Sequence, residues 1–137
     1  MLPLTLGRLS LLPLLLTLLV LGACASGPRF ATLDARVVPE APLEVPEDAV
    51  LRVTLADISQ ANADIIAEST YTRLGSGPLT VALRYDANAI DTDRAYGLRA
   101  EIRVAGRLTH ASPEPVPVLT GDAPSDKAEV PLEATRR

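Results

Sequence analysis

Tyr96-Gly97-Leu98-Arg99-Ala100-Glu101-Ile102-Arg103-Val104 decides the fold of this 137-residue chain. Tyr96, Leu98, Ala100, Ile102 and Val104 alternate with Gly97, Arg99, Glu101 and Arg103, a period of two that sends apolar side chains one way and charges the other. Such a stretch is a half-buried strand, because a helix would scatter the same residues around its axis. Ala105-Gly106 then marks a tight hairpin in which Gly106 supplies the left-handed conformation, and Leu108 and His110 continue inward on the return strand.

The same period spreads outward from this strand. Leu51, Val53 and Leu55 alternate with Arg52, Thr54 and Ala56, and Leu79, Val81, Leu83 and Tyr85 with Thr80, Ala82 and Arg84. Asp64 to Thr72 offers two inward sets, Ile65/Ala67/Ser69/Tyr71 or Ile66/Glu68/Thr70, and composition favours the first. Short strands are expected at about Ala35 to Val38 and Glu129 to Leu132. Val116 and Val118 alternate with prolines that belong on a sheet edge. Gly75 to Pro78 and Gly121 to Asp126 are turns.

Seven or eight short strands with no amphipathic helix between them give an all-β fold, a compact antiparallel β-sandwich preceded by a signal helix. Tyr85 to Tyr96 is the one place for a helical turn, and it reads as a loop crossing between sheets. Tyr96 is expected to act as a tyrosine corner, its hydroxyl bonding upstream backbone.

The N-terminal stretch has a different chemistry. Arg8 forms a basic n-region, Leu9 to Leu21 an apolar run broken by Ser10, Pro13 and Thr17, and Leu21-Gly22-Ala23-Cys24 closes it with small residues before the only cysteine. The run falls short of the ~20 apolar residues of a membrane span. The tetrad resembles the lipobox of bacterial lipoproteins. That resemblance implies cleavage between Ala23 and Cys24 and a diacylglyceryl group on the Cys24 sulfur, the strongest nucleophile among the side chains. Each buried acyl CH2 adds ~0.8 kcal/mol, so two or three chains hold where one does not. Ala25 stands where an aspartate would signal inner-membrane retention, so the expected location is the periplasmic leaflet of the outer membrane. The expected organisation is a signal peptide at 1–23, a lipidated N-terminus and tether at 24–34, a β-domain at 35–133 and a flexible tail at 134–137.

The 137 residues less the 23 of the leader leave 114, enough for one domain. Arg8 is the only charge lost, so 12 basic residues face 17 acidic ones at a net charge of −5. That balance repels phosphate backbones and argues against nucleic acid, leaving the acyl chains on Cys24 to hold the protein at the membrane. With Cys24 consumed, no thiol remains for a disulfide or a thiolate metal site. One Phe and three Tyr, with no Trp, make a stacking surface for sugars or bases unpromising.

Asp48 through Ser59, Ile66-Ala67-Glu68, Tyr85-Asp86 through Ile90-Asp91, Tyr96 through Ile102 and Gly106-Arg107-Leu108 together resemble the YbaY family of lipoproteins, grouped with the YscW-type pilotins of type III secretion. The resemblance runs from about Val37 to Leu132. It implies a compact β-fold and a periplasm-facing lipoprotein without catalysis. His110, where a bulky apolar residue is expected, and the low aromatic content depart from the pattern.

The residues show no catalytic, cofactor-binding or metal constellation. His110 is the sole histidine and no partner is signposted. Asp86, Asp91 and Asp93 around Asn88 lack the glycine and terminal glutamate of a calcium loop and read as turn-forming aspartates. Ser59, Ser69 and Ser76 sit in no nucleophile elbow. Glu44, Glu47 and Asp48 read as a solvated face, and Arg99/Glu101/Arg103 as a row pairing across strands. Tyr71 and Tyr85 are expected to pack their rings inside with hydroxyls at the rim. The expected function is a non-enzymatic, lipid-anchored envelope module of the YbaY type that binds another envelope protein. Its alternatives are a pilotin-like chaperone of a secretin and a small-ligand or glycan-binding lipoprotein.

Overall fold

The computed structural model describes residues 27–136. The leader, the tetrad Leu21, Gly22, Ala23 and Cys24, and Arg137 lie outside the described residues. The described residues form eight strands, β1 (Phe30–Pro39), β2 (Val50–Asp57), β3 (Ile65–Tyr71), β4 (Leu79–Asp86), β5 (Tyr96–Val104), β6 (Arg107–Ala111), β7 (Val116–Val118) and β8 (Lys127–Ala134). A single 3-10 turn, η1 (Ala87–Ala89), sits where a helical turn was allowed for.

The all-β expectation holds, and the arrangement is a single sheet curled toward closure. Its order is β3-β2-β5-β6-β8-β1-β4, with β7 taking over from β6 opposite the first half of β5. Two halves are recognisable. β3-β2-β5-β6 and β8-β1-β4 join through the short pairing of His110 with Ala134 and Ala111 with Glu133. One pair departs from the antiparallel expectation: β1 and β8 run parallel from Asp34/Lys127 to Pro39/Leu132.

The alternation read from the sequence builds the core. Leu51, Val53 and Leu55 of β2, Leu98 and Ile102 of β5, Val81 and Leu83 of β4, and Val130 and Leu132 of β8 all point into one buried cluster. The wet face of β2 and β5 carries a charge row in which Arg52 lies 3.4 Å from Glu68 and 3.8 Å from Glu101, while Arg103 reaches Glu101 at 3.4 Å. Exposed pairs of this kind set register more than stability.

Four local expectations change. The tether was expected to run to residue 34, but β1 starts at Phe30 and Leu33 is wholly buried opposite Leu83. At the other end β8 reaches Ala134, and Thr135 is tied to β6 by its amide on the Thr109 carbonyl and its hydroxyl on the Leu108 carbonyl. β3 follows the favoured inward set at Ala67, Ser69 and Tyr71, yet Ile65 is 63% exposed. A bulge between Leu55 and Ala56 pairs Ala56 with Ile65, which slips the face by one residue and half-buries Ile66 instead. Gly97, placed on the wet face, is buried beneath Ile58 and Pro115.

Strand directions place the chain ends. The starts of β1, β3, β5 and β8 and the ends of β2, β4 and β7 share one end of the barrel, which therefore carries Phe30, Ile65, Asp57 and the 87–95 loop. At the opposite end lies the proline-rich connection after β1, where Leu43 and Ala49 are buried and the Leu43 amide donates to the Ser76 carbonyl at 2.9 Å.

Candidate functional site

The barrel does not close by backbone pairing between β3 and β4, its two terminal strands. Side chains bridge the gap at one level. The Tyr71 hydroxyl accepts from the Ala82 amide at 2.9 Å and donates to the Ala82 carbonyl at 3.0 Å, and the Ser69 hydroxyl donates to the same carbonyl at 3.1 Å. Tyr71 is half-buried, with its ring against the core and its hydroxyl at the rim as expected, while the Tyr85 ring is buried. A related replacement occurs on β5, where the Ser112 hydroxyl accepts from the Ala100 amide at 2.8 Å.

At the end of the barrel that carries the 87–95 loop lies an open cleft of about 640 Å³. Ile66 and Asp64 from the β3 side, Ile90 and Asp91 from the loop after η1, and Asp57, Arg94 and Tyr96 beneath them line it. The loop is held from below and from its ends. The Asp91 amide donates to the Tyr96 hydroxyl at 2.8 Å, and that hydroxyl reaches the Ala89 carbonyl at 3.4 Å, which makes the expected tyrosine corner. Asp86 accepts from the Asn88 and Arg29 amides, and Asp91 from the Asp93 amide, so the aspartates act as turn-formers.

Asp57 was singled out for no role from the sequence, and it is the anchor of the cleft floor. It is 4% exposed, accepts from the Ser59 amide at 2.9 Å and from the Ser59 hydroxyl, and meets Arg94 Nη1 at 3.0 Å. The Ser59 hydroxyl bond first, then the Ser59 amide, hold its carboxyl below the ordinary aspartate range against the opposing effect of burial, and Arg94 adds to them. Bonding and attraction from Asp57 raise the Arg94 guanidinium, which also lies 3.9 Å from Asp91. Asp-x-Ser, a spacing in which the carboxylate caps the amide two residues on, was the available signal.

The remaining singled-out residues do not gather. His110 is half-buried at the opposite end, where its Nδ1 lies 3.0 Å from the Thr109 hydroxyl, and it lines a separate hollow with Pro42 and Leu132. Ser76 is exposed in the β3–β4 turn. No three His, Cys, Asp or Glu side chains among the described residues are placed to hold a metal ion. No helix among them is long and apolar enough to cross a membrane.

Comparison with known proteins bears on this geometry. Residues 29–132 match the family described as "Type III secretion system lipoprotein chaperone (YscW)". Among solved structures the fold is similar to an alternative pilotin from the type II secretion system of Vibrio cholerae, at a TM-score of 0.73 and 25% sequence identity, covering 80% of this chain and 100% of that one. No curated protein matches the sequence.

Proposed function

We propose, for a chain that belongs to the YscW family of type III secretion lipoprotein chaperones, a role as a pilotin-like escort: a lipid-anchored, non-enzymatic barrel that binds an envelope polypeptide of a secretion system, a secretin, and delivers it to the outer membrane. The observation that carries this reading is the family match, which spans nearly the whole described domain. The likeness to a pilotin of a different secretion system supports the same reading over the generic YbaY-type module that the sequence favoured first.

The anchor gives the escort its direction. Acyl chains on Cys24 would hold the protein in the periplasmic leaflet, and the stretch from Cys24 to Phe30 spans at most ~20 Å even when extended. The end of the barrel that carries Phe30, the Asp57–Arg94 pair and the cleft is then the membrane-proximal end. A polypeptide held there sits next to the bilayer it must enter.

The full-length protein, extracted from membranes with detergent, tests both halves. Mass spectrometry is expected to show acyl chains on an N-terminal Cys24, and the secretin of the same cell is expected to co-purify. An N-terminus at Met1, a free Cys24 thiol, or preparations lacking the secretin at every salt concentration contradict the reading.

A further inference from the structure

Among the described residues two large apolar side chains remain exposed, Phe30 at 56% and Ile65 at 63%. Each opens a strand, β1 or β3, and both strands start at the end of the barrel that carries the 87–95 loop. They also share one side of that rim. β4 pairs with β1 out to Phe30 and Asp86, and β3 covers the other edge of β4 through the Tyr71 and Ser69 hydroxyls, so a single strand separates the two side chains. Alternation puts Phe30 outside and Ala31 inside, and the bulge at Leu55 and Ala56 turns Ile65 out in place of Ile66. Single apolar residues scattered over a surface need no explanation, but two gathered at one rim do.

Charge is sorted around the same rim. Arg84, exposed on β4 between the two, holds its guanidinium 4.2 Å from the centre of the Phe30 ring, and the exposed Arg29 precedes that ring. The Asp86 carboxylate beside them accepts from the Arg29 and Asn88 amides, which leaves Asp64 against two guanidiniums. Asp91 and Asp93 ride on the loop that crosses from β4 to β5, and Asp122 on the loop from β7 to β8. An aromatic ring and an aliphatic side chain flanked by arginine suit a membrane–water interface, where the apolar groups enter the acyl boundary and the guanidinium stays among the headgroups.

We infer that this side of the rim rests on the bilayer, with Phe30 and Ile65 dipped into the interface of a zwitterionic leaflet. The inference rests on the anchored escort reading and gives the anchored barrel its orientation. Chain length argues for lipid as the occupant: Cys24 stands six positions before Phe30, so acyl chains on its sulfur keep the ring within ~20 Å of the membrane. Asp64, Asp91 and Asp93 disfavour an anionic surface, which selects phosphatidylethanolamine over phosphatidylglycerol.

The chain has no tryptophan, so single substitutions report depth without background. Full-length acylated protein carrying Phe30→Trp, Ile65→Trp or Ser76→Trp is reconstituted into phosphatidylethanolamine vesicles doped with phosphatidylcholine brominated on its acyl chains. All three positions are exposed, and Ser76, in the β3–β4 turn at the opposite end, is the reference. Tryptophan at positions 30 and 65 is expected to emit at shorter wavelength and to lose emission to bromine, with emission at position 76 unchanged. Exchanging phosphatidylethanolamine for phosphatidylglycerol is expected to reduce the loss. Quenching at positions 30 and 65 no greater than at 76, a loss that grows with phosphatidylglycerol, or a blue shift at position 30 that needs added secretin overturns the inference. Acyl chains found on Cys24 by mass spectrometry, with positions 30 and 65 unquenched, remove the docking and leave the escort. Quenching at both positions, in a protein whose secretin reaches the outer membrane without it, does the reverse.

Discussion

The Tyr71 hydroxyl and the Ala82 backbone exchange a reciprocal pair of hydrogen bonds, amide to hydroxyl at 2.9 Å and hydroxyl to carbonyl at 3.0 Å. A phenol has one donor and can accept as well, so one side chain reproduces both members of a ladder rung. The terminal strands of the sheet are thereby held together without being paired, which keeps the barrel shut at one level and open at the next. Exposed edges invite unwanted pairing, and the Tyr71 and Ser69 hydroxyls cover this one at Ala82.

Tyr71→Phe keeps the ring and removes the rung. It is expected to destabilise the domain by ~1 kcal/mol, the usual net value of a hydrogen bond. Thermal unfolding should show a midpoint a few degrees lower, and a midpoint equal to wild type would mean that the latch contributes nothing.

The Asp57 carboxylate contributes stability with a definite sign in pH. Its folded pKa lies below the ordinary value, so the folded state holds the proton less tightly than the unfolded chain does. The stabilisation is complete above the ordinary aspartate range and is lost as pH falls through the lower folded value. Urea midpoints measured from neutral pH down to about pH 3 are expected to fall more steeply for wild type than for Asp57→Asn. Parallel slopes for the two proteins would contradict the role given to Ser59 and Arg94.

Ala105 and Gly106 both have positive φ, 51° and 79°, in the turn between β5 and β6. A Cβ in the left-handed region costs ~1–2 kcal/mol, and asparagine bears it better than alanine. Ala105→Asn is expected to raise the urea midpoint by an amount equivalent to ~0.5–1 kcal/mol, since only part of that strain is relieved. A lower midpoint would show that the turn is not strained.

Gly97 is set by close approach. A Cβ there would lie 2.9 Å from Pro115 Cβ and 3.1 Å from Ile58 Cδ1. Gly97→Ala is expected to cost ~1–3 kcal/mol, as overpacking of a tight site does. Pro115→Gly in the same chain should recover part of the loss, and strictly additive effects in the double mutant would argue against the contact.

The strands with unbroken alternation were legible because each carries its own pattern. β2 and β4 needed nothing beyond their own residues, and β5 departs from its alternation only at Gly97, which Ile58 and Pro115 cover. β1 was read late because Ala31 and Thr32 give a weak inward signal, and the burial of Leu33 depends on Leu83, far off in sequence. β3 was ambiguous because the bulge opposite Leu55 and Ala56 puts two adjacent isoleucines in contention for one inward position. The parallel β1–β8 pairing and the near closure of the sheet are long-range facts that no local period encodes. At the candidate site, Tyr96 was identifiable from its place at the start of β5. The latch of Tyr71 on Ala82 and the Asp57–Arg94 pair were not, since each joins residues that only the folded sheet brings together.

The partition of the secretin between inner and outer membranes tests the central claim most directly, measured in cells carrying the wild-type chain, Cys24→Ser, or no copy of the gene. An anchored escort predicts assembled secretin in the outer membrane for wild type alone, with the subunits misplaced in both other strains. Secretin that reaches the outer membrane equally in all three would contradict it.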